Sequence, residues 1–253
     1  MQARTLLVRP STDGPRVVLG LAWFVVAIAA VFPGRWTMLG LWGILAAFAA
    51  LQVTRVWAEE PLGRIMPGWA PPAAAVGSAA CVVAASLGTG LGGVALMVVP
   101  ILVMAAITLA GNKPIAASGA VIGIVMAASP AVAVVLVGRE ETESVLFLIA
   151  AVSFYDAGYF IGAAESSSRL EGPVTGTIGL LAVTFAASAF EAGPFDRVTA
   201  WMVGAVLVLA CPLGKMLVAA ELPRPDSQVP AMRRLDSYLV AGPVMLAATW
   251  ALS

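Results

Sequence analysis

Residues 145–164, VLFLIAAVSFYDAGYFIGAA, form an apolar run that contains a single carboxylate, Asp156. A helix needs about 20 predominantly apolar residues to cross a bilayer, and this run has that length without a proline. A charge near the centre of the membrane costs roughly 2.5–3.5 kcal/mol on insertion scales. The run therefore predicts a transmembrane helix whose carboxylate either pairs with a cation or faces a polar cavity.

The composition of the whole chain indicates the same class. Of 253 residues, 60% are hydrophobic and 11% are charged, and the mean hydropathy is +0.96. Soluble domains are about 45–50% apolar and 25% charged. The formal net charge is zero, so no global field attracts nucleic acid. Histidine is absent, which excludes His-ligated metals, histidine-held haem and Ser-His-Asp triads. We expect an all-α polytopic membrane protein.

Nine apolar segments, separated by turn signals, predict nine transmembrane helices. They cover roughly 17–33, 36–55, 72–87, 91–110, 115–137, 144–163, 173–190, 197–219 and 237–252. We divide the chain into a cytoplasmic N-terminal tail, about four N-terminal helices and a set of C-terminal helices that carries the polar residues, over 1–16, 17–110 and 115–252. The first segment is also typical of a signal-peptide apolar region, an alternative that would leave eight spans.

The distribution of lysine and arginine predicts the orientation, because cytoplasmic loops are enriched in both. With the N-terminus inside, ten basic residues fall on the inner side: Arg4, Arg9, Arg16, Arg55, Arg64, Lys113, Arg169, Arg224, Arg233 and Arg234. Three fall on the outer side: Arg35, Arg139 and Arg197. We therefore expect a multi-pass plasma membrane protein with a cytoplasmic N-terminus.

Three charged residues are the hardest to place in the membrane, and all three fall in the inner half. Asp156 lies slightly inside the midplane, Lys215 lies in the inner third of the eighth segment, and Asp236 opens the ninth. A polar cavity open to the cytoplasm would accommodate all three. Each residue also fits a purely structural role. Asp156 could simply pair with Lys215, Lys215 could snorkel to the interface, and Asp236 could cap the last helix.

Other features of the sequence favour a role in helix packing rather than in catalysis or binding. Gly119 and Gly123 form a GxxxG pair that is typical of tight helix–helix contact. Cys81 and Cys211 lie inside apolar runs and are expected to be small core residues. Tyr159 is either an interfacial belt residue or a hydroxyl donor to the buried carboxylate.

Three short segments resemble the phosphatidate cytidylyltransferases, the CDP-diacylglycerol synthases. Asp156-Ala-Gly-Tyr-Phe-Ile-Gly162 is similar to the D-[TS]-[GA]-A-Y-x-x-G segment of that family. Gly176-Thr-Ile-Gly179 resembles the end of its P-K-K-T-W-E-G-x-I-G-G segment, and Arg234-Leu-Asp-Ser237 resembles its closing R-[hydrophobic]-D-S. Their order and rough spacing agree, and the resemblance covers roughly residues 115–252, most clearly 145–240.

The resemblance implies a cytidylyltransferase-like bundle that transfers CMP from CTP to phosphatidic acid, giving CDP-diacylglycerol at the inner leaflet. It implies Mg²⁺ held by Asp156 and Asp236, which together with Lys215 are the candidate catalytic residues. Arg233, Arg234 and Tyr159 are candidates for binding substrate phosphate. The expected partners are membrane lipid and CTP or a liponucleotide, with a homodimer or another protein as further alternatives.

The chain also departs from the family pattern. Pro212 takes the place of one family aspartate, and Arg233 takes the place of another. These departures favour a second hypothesis, a catalytically inactive homologue that acts as a lipid-binding subunit or scaffold. A small-solute transporter is a third, weaker hypothesis, because the intramembrane charges all lie toward one face.

Overall fold

The computed structural model describes residues 16–60, 65–164, 168, 170–191 and 195–252. It is 84% helix, with no strand in the described ranges. The α-helices of the described residues are α1 Arg16–Ala29, α2 Arg35–Glu59, α3 Ala70–Leu87, α4 Thr89–Leu109, α5 Ser118–Glu140, α6 Thr142–Ala164, α7 Glu171–Ala189, α8 Arg197–Glu221 and α9 Tyr238–Leu252. The predicted N-terminal tail lies outside the described residues except for Arg16.

Seven of these helices, α2 to α8, are long and apolar enough to cross a membrane. The all-helical, multi-pass class predicted from the composition is therefore confirmed. The apolar parts of α1 and α9, Gly20–Ala29 and Tyr238–Ala251, are shorter. The predicted count of nine spans and the predicted orientation stay predictions.

Helix α5 is the centre of the bundle. It packs against α2, α3, α4, α6 and α9, and most of its side chains are buried. Small residues make this possible: a Cβ at Gly119 would lie 2.4 Å from Trp57 Cβ, and one at Gly123 would lie 2.6 Å from Thr54 Oγ1. The Gly119–Gly123 pair thus forms the close contact between α5 and α2, as its spacing predicts.

Helices α6 and α7 form an antiparallel pair with a second set of close glycine contacts. A Cβ at Gly158 would lie 2.4 Å from the Thr175 carbonyl oxygen, and a Cβ at Gly179 would lie 2.4 Å from the Phe154 carbonyl oxygen. Thr175 Oγ1 donates to the Gly158 carbonyl oxygen at 2.7 Å across the interface. Since a side chain at these positions would separate the backbones, glycine fixes the distance at which α7 packs on α6.

The connection between α8 and α9 enters the bundle before α9 begins. The Ala231 N–H donates to Gln52 Oε1 on α2, and the Tyr238 ring contacts Trp42, about 15 Å further along α2. Met232 and Leu235, which lie between these contacts, are fully buried. Irregular backbone is tolerated at this depth only where protein surrounds it. The segment from Ala231 to Ser237 therefore spans part of the length of the bundle that a longer α9 would otherwise span. This is why α9 is short.

Candidate functional site

The three charges that the sequence places in the inner half meet in one ion-paired cluster. Lys215 Nζ lies 2.9 Å from Asp156 Oδ1 and 2.9 Å from Asp236 Oδ1. Lys215 and Asp156 each lie about two helical turns before the ends of α8 and α6, so they reach the same depth. Helices α6 and α8 end on the side of the bundle where α9 begins, and the cluster lies at that end.

Burial differs between the two carboxylates. The exposed fraction of the side chain is 4% for Asp236, 14% for Lys215 and 28% for Asp156. An isolated buried charge is costly, but a pair with good geometry and additional hydrogen bonds offsets much of that cost. Asp236 is thus an internal anchor, whereas one side of Asp156 remains accessible from outside the cluster.

Ser237 completes the cluster, and it is the residue that sequence reasoning missed as a site candidate. Its Oγ donates to Asp156 Oδ1 at 2.6 Å, and its backbone N–H donates to Asp236 Oδ1 at 2.7 Å. Ser237 is fully buried, so these bonds are shielded from water. Its position directly before α9, within the Arg-Leu-Asp-Ser segment, was the available signal. Each carboxylate therefore accepts a hydrogen bond from Ser237 in addition to its contact with Lys215.

Gly214 determines how closely the segment before α9 approaches α8. A Cβ at this position would lie 2.2 Å from the Asp236 carbonyl oxygen and 3.2 Å from the Ser237 carbonyl oxygen. Real Cβ atoms essentially never come so near. Gly214 therefore lets the backbone that carries Asp236 lie against α8 beside Lys215. An isolated glycine in an apolar helix gives no sequence signal for this role.

The aromatic and basic candidates surround the cluster at different distances. The Tyr159 ring faces Lys215, with Nζ 5.1 Å from the ring centroid, a cation–π contact. Arg233 donates to the Pro225 carbonyl oxygen, and Arg234 approaches α1, where a Cβ at Gly20 would lie 3.7 Å from its Nη1. Both arginines are half-buried. The structure thus brings Tyr159 to Lys215 and directs Arg234 toward α1.

The residues of this cluster do not fit the Mg²⁺ that the family resemblance implies. Mg²⁺ and Ca²⁺ bind oxygen ligands at about 2.0–2.6 Å. The space between Asp156 Oδ1 and Asp236 Oδ1 is filled by the Lys215 ammonium. In the described part of the chain, no group of three or more His, Cys, Asp or Glu side chains could hold a metal ion. A metal would have to displace Lys215 to reach both carboxylates.

Comparisons with protein-family models, with curated proteins and with solved structures found no match for this chain. The fold and the cluster define the class: a multi-pass helical membrane protein with an ion-paired Asp–Lys–Asp cluster inside one end of its bundle. The cytidylyltransferase resemblance stays a prediction that depends on the three short segments alone.

Proposed function

We propose that the protein binds the phosphate head group of an anionic phospholipid at the inner leaflet, as a cytidylyltransferase-like protein that does not transfer a nucleotide. The observation that carries this proposal is the position of Lys215 between the two candidate metal ligands. Because Asp156 and Asp236 already neutralise an ammonium, they are poorly placed to hold a magnesium–nucleotide complex. The catalytically inactive alternative is therefore favoured over CMP transfer.

The cluster instead holds the segment that carries Arg233 and Arg234. Lys215 and Ser237 fix one end of this segment, and Gln52 Oε1 accepts the Ala231 N–H at the other end. Half-buried guanidinium groups on a rigid segment bind phosphate well, because they form charge-assisted, bidentate hydrogen bonds at little entropic cost. Counted together, Lys215, Arg233 and Arg234 carry three positive charges and Asp156 and Asp236 carry two negative charges, a formal sum of +1.

An apolar groove near the same segment provides space for an acyl chain. It has a volume of about 540 Å³ and lies between α5, α8 and α9, with Val125, Leu217 and Leu239 among its lining residues. Leu239 follows Ser237 by two positions, so the groove begins close to the backbone that the cluster holds. An anionic head group and an apolar tail are the two parts of a phospholipid, and both have complementary surfaces at this end of the bundle.

Lipid binding by the purified full-length protein tests the proposal. Short-chain phosphatidic acid and phosphatidylcholine would be titrated in detergent and followed by native mass spectrometry. We expect phosphatidic acid to bind the more tightly, and Arg233→Gln/Arg234→Gln to weaken it about tenfold or more, since hydrogen bonds to charged groups contribute about 1.5–3 kcal/mol. Arg224→Gln is the matched control, because Arg224 lies in the same connection but is largely exposed. Equal losses in the control and the double variant would contradict a specific site.

CMP transfer is the second candidate, because Asp156 is partly accessible within a segment that resembles the family motif. An assay with CTP, phosphatidic acid and Mg²⁺ separates the two functions by following CDP-diacylglycerol. We expect no product. Turnover by the wild-type protein that Asp156→Ala and Asp236→Ala abolish would establish the enzyme and overturn the non-catalytic proposal. Uptake of a solute by proteoliposomes would instead support a transporter.

A further inference from the structure

Glu221 is a carboxylate at one end of the apolar groove between α5, α8 and α9. Ten described residues line this groove, and Glu221 is the one among them that carries a charge. It is the last residue of α8, and it is exposed. Leu217, one helical turn earlier, lines the same groove. Glu221 therefore marks the end of the groove at which α8 passes into the connection to α9.

Neither the helix nor a neighbouring side chain stabilises this charge. The C-terminus of a helix carries a partial negative charge, so a carboxylate in the last turn is unfavourable. None of the ion pairs between described residues includes Glu221. Arg224, three positions further on, has its Nε 3.9 Å from Glu60 Oε1 instead. An unpaired carboxylate at the end of an apolar groove is complementary to a ligand that carries its own cation beside an apolar tail.

The connection that follows Glu221 also carries the guanidinium groups that are proposed to bind phosphate. Arg233 donates to the Pro225 carbonyl oxygen, and Pro225 follows Glu221 by four positions. Four residues span at most about 14 Å, so the backbone that holds the Arg233 side chain lies near the end of α8. An anionic and a cationic side chain thus lie toward the same end of the groove.

We infer that the bound lipid is an aminophospholipid, whose head group carries a primary ammonium beside the phosphate, and that Glu221 binds this ammonium. The inference rests on the proposed binding of phosphate by Arg233 and Arg234, and it adds the class of head group. Phosphatidylethanolamine and phosphatidylserine share this chemistry. A primary ammonium donates charge-assisted hydrogen bonds to a carboxylate, whereas the quaternary ammonium of phosphatidylcholine has no N–H to donate.

Native mass spectrometry of the full-length protein in detergent tests the inference, with four phospholipids that have the same short acyl chains. We expect phosphatidylethanolamine and phosphatidylserine to bind about tenfold more tightly than phosphatidylcholine, as one hydrogen bond between charged groups would produce. Glu221→Gln should abolish this preference without weakening the binding of phosphatidic acid, which has no ammonium. A preference for one aminophospholipid alone would support the inference and identify the head group.

Glu171→Gln is the matched control. Glu171 is exposed at the same end of the bundle, in the first turn of α7, and is not among the described residues that line the groove. Equal binding of the aminophospholipids and phosphatidylcholine by the wild type, or equal losses in the two variants, would overturn the inference. The proposed function fails separately, if Arg233→Gln/Arg234→Gln leaves the binding of phosphatidic acid unchanged.

Thermal unfolding distinguishes a ligand-binding role of Glu221 from a structural one. Glu221→Gln is expected to keep or raise the Tm of the lipid-free protein, because the substitution removes an unfavourable charge from the end of α8. A Tm clearly below that of the wild type would show that the carboxylate is already stabilised within the protein, and the inference would then be wrong.

Discussion

Two helix–helix contacts near the cluster are held by different physical interactions. Helix α7 packs on α6 through glycine and one threonine hydroxyl, with Gly158 and Gly179 allowing backbone contact. The start of α9 packs on α8 through charge, with Lys215 joined to Asp236 beside Gly214. The first contact needs only small side chains at regular spacing. The second needs three charged groups from separate parts of the sequence at one point, so it is specific to a single arrangement of α6, α8 and α9.

Among the variants considered, loss of the Lys215 ammonium should lower the free energy of unfolding the most. Lys215→Met leaves Asp156 and Asp236 adjacent without a cation, and breaking a buried pair in this way costs about 3–5 kcal/mol. The value should fall toward the lower end, because the Asp156 side chain is less buried by protein than that of Asp236. Unfolding by SDS titration in mixed micelles measures it.

The neutral variant Asp156→Asn/Lys215→Met/Asp236→Asn is the control for this prediction. It removes all three charges, and buried ion pairs replaced by neutral groups are often no less stable than the original. We expect it to unfold within about 1 kcal/mol of the wild type. A loss as large as that of Lys215→Met would show that packing, and not the unpaired charge, determines the cost.

Gly214→Ala should cause the second-largest loss of stability, because it affects both the close backbone contact with Asp236 and the ion pair between Lys215 and Asp236. The added methyl group would lie 2.2 Å from the Asp236 carbonyl oxygen, so the segment must move away from α8. Overpacking of this kind costs about 1–3 kcal/mol, and separation of Asp236 from Lys215 adds to it. Gly93→Ala in α4 is the matched control, since nothing lies within 4 Å of its Cβ position. A destabilisation no larger than that of the control would contradict the role given to Gly214.

Gly158→Ala tests the contact between α6 and α7 without touching the ion pair directly. Its Cβ would lie 2.4 Å from the Thr175 carbonyl oxygen, and we expect a loss of about 1–3 kcal/mol, partly offset by the better helix propensity of alanine. Gly43→Ala in α2, which meets nothing within 4 Å, should be neutral or slightly stabilising. If the two variants unfold alike, glycine spacing does not hold α7 on α6.

The smallest effect is expected at the other end of α8, where Asp196 caps the helix. Asp196 Oδ1 accepts the Thr199 N–H at 2.7 Å, and this bond lowers the pKa of the carboxyl below its ordinary value. The stabilisation is therefore fully present above the ordinary pKa of about 3.9 and is lost as the pH falls through the lowered value in the folded protein.

Thermal unfolding between about pH 6 and pH 2 checks this sign. The difference in Tm between wild type and Asp196→Ala should shrink toward the acid end. Asp196→Asn keeps a capping oxygen without a titrating charge, so its difference from Asp196→Ala should stay nearly constant. A wild-type advantage that grows on acidification would be inconsistent with the cap.

The all-helical class of the protein could be predicted from the sequence, because it depends on local composition. Long apolar runs must satisfy their backbone hydrogen bonds internally, so residues 145–164 could only form a helix in a membrane. The GxxxG spacing of Gly119 and Gly123 likewise predicted a close contact. The role of Gly214 could not be predicted, because it depends on a contact with residues 236–237, which are distant from it in the sequence. The Arg-Leu-Asp-Ser segment singles out Ser237, but its hydrogen bond to Asp156 depends on the tertiary structure.

The sequence by itself determined that the chain is a polytopic helical membrane protein and that Asp156, Lys215 and Asp236 all fall in the same half of their apolar segments. Hydropathy and helix rise depend on nothing beyond the order of residues, so these conclusions needed no tertiary contact. Only the tertiary structure decided that Lys215 lies between the two carboxylates. That arrangement depends on the approach of the segment before α9 to Gly214, and such an approach is determined by packing among α2, α6 and α8 rather than by any local pattern.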